Sequence, residues 1–224
     1  MKHTSHPPTP ASDWYENAFD LTRGIAAYTG SPLIDGIAKV IARHPDADIA
    51  NAFNHRQVAC KLWARDTLLE AAGKSYKRIV VLGGWYGILS AMLLEDCRFE
   101  IAMAESYDID ASVEAVARTL NATFADRFRA ITADMYAIDY ASLDADLIVN
   151  TSCEHIADLR SWLALIPSGT RVLLQSNDYF SEPTHINCVE SVDAFADQAK
   201  LATLDFVGAL PTKKYTRFML IGTV

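Results

Sequence analysis

The run Arg78-Ile79-Val80-Val81-Leu82 ends on Gly83-Gly84, and after Trp85-Tyr86-Gly87 an apolar stretch from Ile88 to Leu94 follows at once. A short β-branched segment that breaks on glycines and resumes as an apolar helix predicts a buried parallel strand turning into a helix. That turn commits the chain to alternating strands and helices, because a strand buried on both faces needs helices to cover it. It also sets glycine backbone and free helix N–H groups at a strand's carboxyl end, where open α/β sheets bind ligands.

Strand-like runs recur at 78–82, about 99–107, 128–133, 146–150, 171–175, 203–209 and 216–222. Helical spacing appears between them at Val113, Val116, Ala117 and Leu120, at Trp162, Leu163 and Ile166, and at Val192, Phe195, Ala196 and Ala199. The short connection from Leu210 to Tyr215 suits an antiparallel hairpin. The expected fold is therefore α/β: a Rossmann-like, mostly parallel sheet closed by a C-terminal antiparallel hairpin. It occupies 77–224 and follows a helical segment over 11–76. In that segment Ser12 or Asp13 is expected to cap a first helix, and Ser31-Pro32 starts a second carrying Leu33, Ile34, Ile37, Val40 and Ile41. Asn54-His55-Arg56-Gln57 opens a third that runs through Val58, Leu62, Leu68 and Leu69 to Gly73. Residues 1–10, with two histidines and three prolines, are expected to form a flexible tail.

Half of the 224 residues are hydrophobic, enough for a substantial core, and the formal net charge is −8. That charge argues against a nucleic-acid partner. No apolar run approaches the roughly 20 residues that span a bilayer, and no signal-peptide core precedes the fold. The four cysteines lie far apart without a Cys-x-x-Cys pair, so neither a disulfide framework nor a zinc motif is expected. A cytoplasmic protein with a small-molecule substrate and no membrane partner fits these features; the oligomeric state is not legible.

The candidate site lies at the strand ends. The first carries Gly83, Gly84, Trp85, Tyr86 and Gly87, and the second reads Glu105-Ser106-Tyr107-Asp108-Ile109-Asp110. Carboxylates some 20 to 25 residues past the glycines sit where a nucleotide-type site binds ribose hydroxyls, with Asp108 for the ribose and Asp110 as a helix cap. A Rossmann dehydrogenase fingerprint is not met, because residues 85 and 88 are Trp and Ile. The fourth end is Asn150-Thr151-Ser152-Cys153-Glu154-His155, and the fifth is Gln175-Ser176-Asn177-Asp178-Tyr179-Phe180, followed by His185. Asn150, Tyr179, His155 and His185 are the candidate catalytic groups, the histidines as base or donor. Cys153 reads as a small buried thiol rather than a nucleophile. Glu154 with the two histidines lacks metal-ligand spacing, so no metal is expected.

From about residue 77 to its end the sequence resembles the class I S-adenosylmethionine-dependent methyltransferases. The family's first motif, acid-x-Gly-x-Gly-x-Gly, aligns with Val81-Leu82-Gly83-Gly84-Trp85-Tyr86-Gly87, where Val81 replaces the acid and Trp85 the middle glycine. Asp108-Ile109-Asp110 matches the second motif, and Ala133-Asp134-Met135 resembles the Ala-Asp-hydrophobic motif. The resemblance implies S-adenosylmethionine as cofactor, with Asp108 on the ribose diol, Asp134 on the adenine amine, and Met135 packed on its ring. Asn150 stands where family members that methylate amino nitrogens carry Asn/Asp-Pro-Pro-aromatic, but the rest of that motif is absent. Aromatic faces of Trp85, Tyr86, Tyr179 and Tyr215 are candidates to stabilise a sulfonium cation. Tyr15, Asn177, Tyr179 and Tyr215 are the candidate substrate contacts, with Trp14, Tyr15 and Phe19 in an N-terminal lid.

Methyl transfer to a small molecule is the default chemistry so implied. Two alternatives stay open. One is attack on the aminocarboxypropyl carbon, as in nicotianamine synthases or azetidine-2-carboxylate synthases, releasing methylthioadenosine. The other is a non-catalytic cofactor-binding module.

Overall fold

The computed structural model describes residues 14–224, so the expected tail and the Ser12 or Asp13 cap lie outside the described residues. Four helices come first: α1 (Trp14–Thr29), α2 (Pro32–Arg43), α3 (Ile49–Ala52) and α4 (His55–Ala72). Ser31 caps α2 by accepting from the Ile34 N–H, and Asn54 caps α4 by accepting from Arg56 and Gln57. The one-turn α3, capped by Asp48, has no counterpart in the sequence reading, since four residues are too few to show a helical period.

The α/β part runs β1 (Ser75–Leu82), α5 (Ile88–Glu95), β2 (Glu100–Asp108), α6 (Glu114–Leu120), β3 (Phe128–Thr132), α7 (Tyr140–Leu143) and β4 (Leu147–Asn150). It continues with α8 (Leu159–Leu163), β5 (Arg171–Asn177), α9 (Val192–Ala199), β6 (Thr203–Pro211) and β7 (Thr216–Thr223). The seven strands form one sheet in the order β3-β2-β1-β4-β5-β7-β6. Pairs among the first five are parallel, and β7 runs antiparallel between β5 and β6. The mixed sheet and its terminal hairpin are as the sequence predicts.

Two cores follow from the two faces. On one, Ile79, Val81, Leu89, Leu93, Leu147 and Met219 pack with Leu33, Ile37, Val40 and Leu68 of the N-terminal helices. On the other, Val80, Leu82, Ile148, Leu174 and Leu220 pack with Trp162 and Phe195. The alternation Val80/Val81 about the strand is the period-two rule at work. Helices α2 and α4 thus cover one sheet face together with α5 and α6, and share its core. Among the described residues no helix is long and apolar enough to cross a membrane.

The strand order reverses beside β1, which has β2 on one side and β4 on the other. The carboxyl ends of these strands diverge there and open a crevice.

Candidate functional site

The crevice is a cavity of about 650 Å³, bounded by the glycine turn, Asp108, the segment after β4, the loop after β5, the start of β7, and the N-terminal end of α4. The turn is fixed by its own backbone. Gly83 has φ +59° and Gly87 φ +70°, and Trp85 adopts φ +49°, a left-handed conformation that costs a side-chain-bearing residue about 1–2 kcal/mol. Trp85 therefore takes a backbone conformation that glycine adopts without strain. The Gly84 N–H donates to the Tyr107 carbonyl at 3.0 Å, tying the turn to β2. The Trp85 N–H donates to Asp108 Oδ2 at 2.8 Å, and the Asp110 N–H donates to Oδ1 at 3.1 Å. Each Asp108 oxygen thus keeps a lone pair for a ligand. Asp110 caps the next turn, accepting from the Ser112 N–H at 2.8 Å.

Trp85 and Tyr86 stack obliquely at 4.9 Å, and Tyr86 Oη accepts from the Asp48 N–H at 3.2 Å. The turn is in this way linked to the cap of α3.

Opposite the turn lies a buried charge network. Glu154, in a 3₁₀ turn after β4, accepts at Oε1 from Arg217 Nη1 at 2.7 Å and from Asn177 Nδ2 at 2.7 Å. Arg217 also donates to the Gln175 side chain and to the Thr151 carbonyl. Burial opposes the charge on Arg217 most strongly, but Glu154, with Cys60 and Tyr215, together outweighs it and raises its pKa. Lys61, six residues past the start of α4, donates to Gln57 Oε1 at 2.7 Å and has no carboxylate partner among the described residues. Burial, and then the nearby positive charge of Arg217, push it down to about 8. Arg56 lines the same wall.

The rings gather at the far end. Tyr179 and Tyr215 stack at 5.7 Å, and the Lys214 ammonium sits 5.6 Å over Tyr179. His185 meets Tyr179 edge-on at 5.8 Å and His155 at 4.8 Å. Burial lowers the His185 pKa, which favours its neutral ring. His155 Nδ1 lies 2.9 Å from the Thr184 carbonyl, an acceptor only, so Nδ1 carries a proton and donates it there.

Of the sequence candidates, Gly83, Gly84, Trp85, Tyr86, Asp108, His155, Asn177, Tyr179, His185 and Tyr215 line this cavity. Others do not. Asn150 is 2% exposed, and its Oδ1 accepts from the Ser152 N–H at 2.9 Å, so it shapes the turn after β4. Cys153 is buried, and burial raises its thiol pKa. Asp134 caps a 3₁₀ turn by accepting from Tyr136 N–H, and Met135 packs against the second core. Both stand beside Asp108, because the Ala133 N–H donates to the Asp108 carbonyl at 2.9 Å, and Ile109 is exposed at the same rim. Gly87 faces Asn121 and Phe128. Tyr15 lies with Trp14 and Phe53 on a separate apolar hollow beside α2, so the structure does not bring it to the cavity. Sequence reasoning missed Arg56, Lys61, Lys214 and Arg217. A charged residue opening the apolar run Phe218–Ile221 was the available signal for Arg217.

No protein-family model and no curated protein matches this sequence. Solved structures do. N-methyltransferase NodS from Bradyrhizobium japonicum WM9 aligns over 77% of this chain and 98% of its own at 10% identity, with a TM-score of 0.60. A putative sarcosine dimethylglycine methyltransferase from Galdieria sulphuraria aligns over 75% and 86% at 12% identity, TM-score 0.59. The nicotianamine synthase MtNAS, in complex with MTA and tNA, aligns over 95% of this chain and 77% of its own at 17% identity, TM-score 0.55. The chain has a class I S-adenosylmethionine-dependent methyltransferase-like fold.

Proposed function

We infer that this chain is an S-adenosylmethionine-consuming transferase acting on a small polar molecule, with methyl transfer as its default reaction. The observation that carries this is Asp108: a carboxylate held by two backbone N–H groups at the end of β2, facing a cavity bordered by the glycine turn. It suits two vicinal ribose hydroxyls, one per oxygen. Gly83 suits close approach, since a Cβ there meets nothing nearer than the Ser152 side chain at 3.8 Å. Asp134, Met135 and Ile109 at the adjoining rim suit the adenine end. Structures with this fold hold S-adenosylhomocysteine, S-adenosylmethionine or methylthioadenosine, which supports the same cofactor here.

When bound, S-adenosylmethionine supplies an electrophilic carbon on a sulfonium centre. The chain's own groups do the rest. The Tyr179–Tyr215 pair offers aromatic faces to positive charge. Arg56 and Lys61 attract an anionic group on the acceptor, and Lys61 exchanges a proton near neutral pH. His155 and His185 present basic ring nitrogens at the same end.

One observation favours the second chemistry. MtNAS aligns over 95% of this chain, N-terminal helices included, whereas NodS and the Galdieria protein align over 77% and 75%. Attack on the aminocarboxypropyl carbon fits that likeness. Incubation of the full chain with S-adenosylmethionine, read by mass spectrometry, separates the two. S-adenosylhomocysteine formed only with an added acceptor supports methyl transfer, and methylthioadenosine formed without one refutes it. Absence of calorimetric binding to S-adenosylmethionine and both products would overturn the cofactor assignment itself.

A further inference from the structure

We propose that Glu154, His155 and His185 form a site for a divalent first-row transition metal ion of the zinc, cobalt or iron type, at the acceptor end of the cavity. One donor atom from each residue lies within 4.8 Å of the others. The sequence hides this, because the third ligand comes 30 residues after the pair at 154–155 and from another loop.

Several independent features point to a ligand. The Glu154 side chain is 4% exposed, and its Oε2 is buried with no hydrogen-bond partner among the described residues. A buried polar atom left unsatisfied costs about 1–3 kcal/mol, so Glu154 Oε2 calls for a partner. His155 shows the arrangement of a metal-binding imidazole, with one ring N–H donated to a backbone carbonyl and the other nitrogen free.

The two ligand-bearing loops are also stitched together. His155 Nδ1–H donates to Thr184 O at 2.9 Å, the Asn187 N–H to Glu154 O at 2.9 Å, and Asn187 Nδ2 to Ile156 O at 2.7 Å. Such preorganisation serves a site and is more than a surface turn needs.

The charges select the ion. Arg217 and Asn177 hold Glu154 Oε1, leaving Oε2 as the free oxygen. The site therefore offers two imidazole nitrogens and one carboxylate whose charge is already partly offset. Magnesium and calcium prefer all-oxygen shells, whereas zinc, cobalt and iron accept imidazole. The donor atoms lie up to 4.8 Å apart, and ligands about 2.0–2.1 Å from a tetrahedral ion stand about 3.3 Å apart. Closing the triangle takes rotations of the exposed His155 and half-buried His185 side chains toward the buried Glu154 carboxylate, not a change of fold. Three protein ligands leave a position open toward the cavity, the pattern of catalytic sites. With the ion bound, the histidines act on an acceptor through it and Lys61 remains the proton-exchanging amine.

The test uses the untagged full chain, stripped with chelator and titrated with cobalt(II) alone. The expected result is one ion per chain with visible ligand-field bands, displaced by zinc but not by magnesium. His155→Ala and His185→Ala should each weaken binding by at least the roughly 10–100-fold that loss of an outer-shell partner costs. His155 is exposed, so its variant keeps the fold, which circular dichroism checks. No binding, displacement by magnesium, or binding unchanged in both variants would overturn the proposal. The measurement needs no S-adenosylmethionine, so it fails or succeeds independently of the cofactor assignment.

Discussion

Lys61 should destabilise the folded chain, and replacing it should make the protein more stable. Its pKa falls from 10.5 to about 8, chiefly by burial and then by Arg217. At about 1.4 kcal/mol per tenfold, that fall corresponds to roughly 3 kcal/mol held against folding. The sign follows from proton counts. Below pH 8 both states carry the proton and the penalty is complete. Between about 8 and 10.5 the unfolded chain holds a proton that the folded chain has released, so stability rises with pH. Above 10.5 the penalty is gone. Lys61→Met keeps the apolar stem and removes the ammonium, at the loss of the 2.7 Å bond to Gln57, worth about 0.5–1.5 kcal/mol. The net gain is about 2 kcal/mol at pH 7, or about 4–8 °C in Tm for a chain of this size. Thermal melts of both proteins at pH 7 and pH 9.5 check it: Lys61→Met melts higher at pH 7, and the gap narrows at 9.5. Equal melting temperatures at pH 7 with parallel profiles would refute the reasoning.

Glu154→Gln leaves the Arg217 guanidinium buried without its counter-charge, and should cost about 3–5 kcal/mol in denaturant unfolding. Adding Arg217→Met should recover part of that loss, and strict additivity of the two would show that they do not interact. Gly87→Ala places a Cβ 2.7 Å from Asn121 Nδ2 and 3.0 Å from the Phe128 ring at φ +70°, with an expected loss of about 2–4 kcal/mol. Gly24→Ala, inside α1 with nothing within 4 Å, should instead gain about 0.5–1 kcal/mol; equal effects of the two alanines on Tm would contradict both assignments.

The sheet was legible because buried parallel strands are written as continuous β-branched runs, and the stops at Gly83, Asp108 and Asn150 mark their carboxyl ends. The helices α2 and α4 announced themselves through Ser31-Pro32 and Asn54. The site was legible only where it grows from strand ends. Lys61 sits in a helix whose apolar spacing draws attention to Val58 and Leu62, and nothing local says that α4 turns Gln57 and Lys61 toward the glycine turn. That placement is set by α4 packing on α5, β6 and β7. Asn150 shows the converse. An amide at the position of a methylation motif reads as chemistry, yet here it serves a turn that any short polar side chain can make.

Trp85 shows why a motif's side chains and its backbone must be judged apart. By composition the middle glycine is lost; by conformation it persists at φ +49°. The backbone N–H of Trp85 donates to Asp108 on β2 at 2.8 Å. Trp85→Gly should therefore separate two roles. It relieves about 1–2 kcal/mol of left-handed strain and adds about 0.5–1 kcal/mol of chain entropy, which nearly cancel. It also removes a half-buried ring that packs on Tyr86 and on the first core, a loss below the 3–5 kcal/mol of a fully buried tryptophan. A net destabilisation of about 1–3 kcal/mol is expected, with calorimetric affinity for S-adenosylhomocysteine within threefold of the parent, because the N–H to Asp108 stays. Affinity lost in a variant that still melts cooperatively would mean that the indole itself touches the ligand.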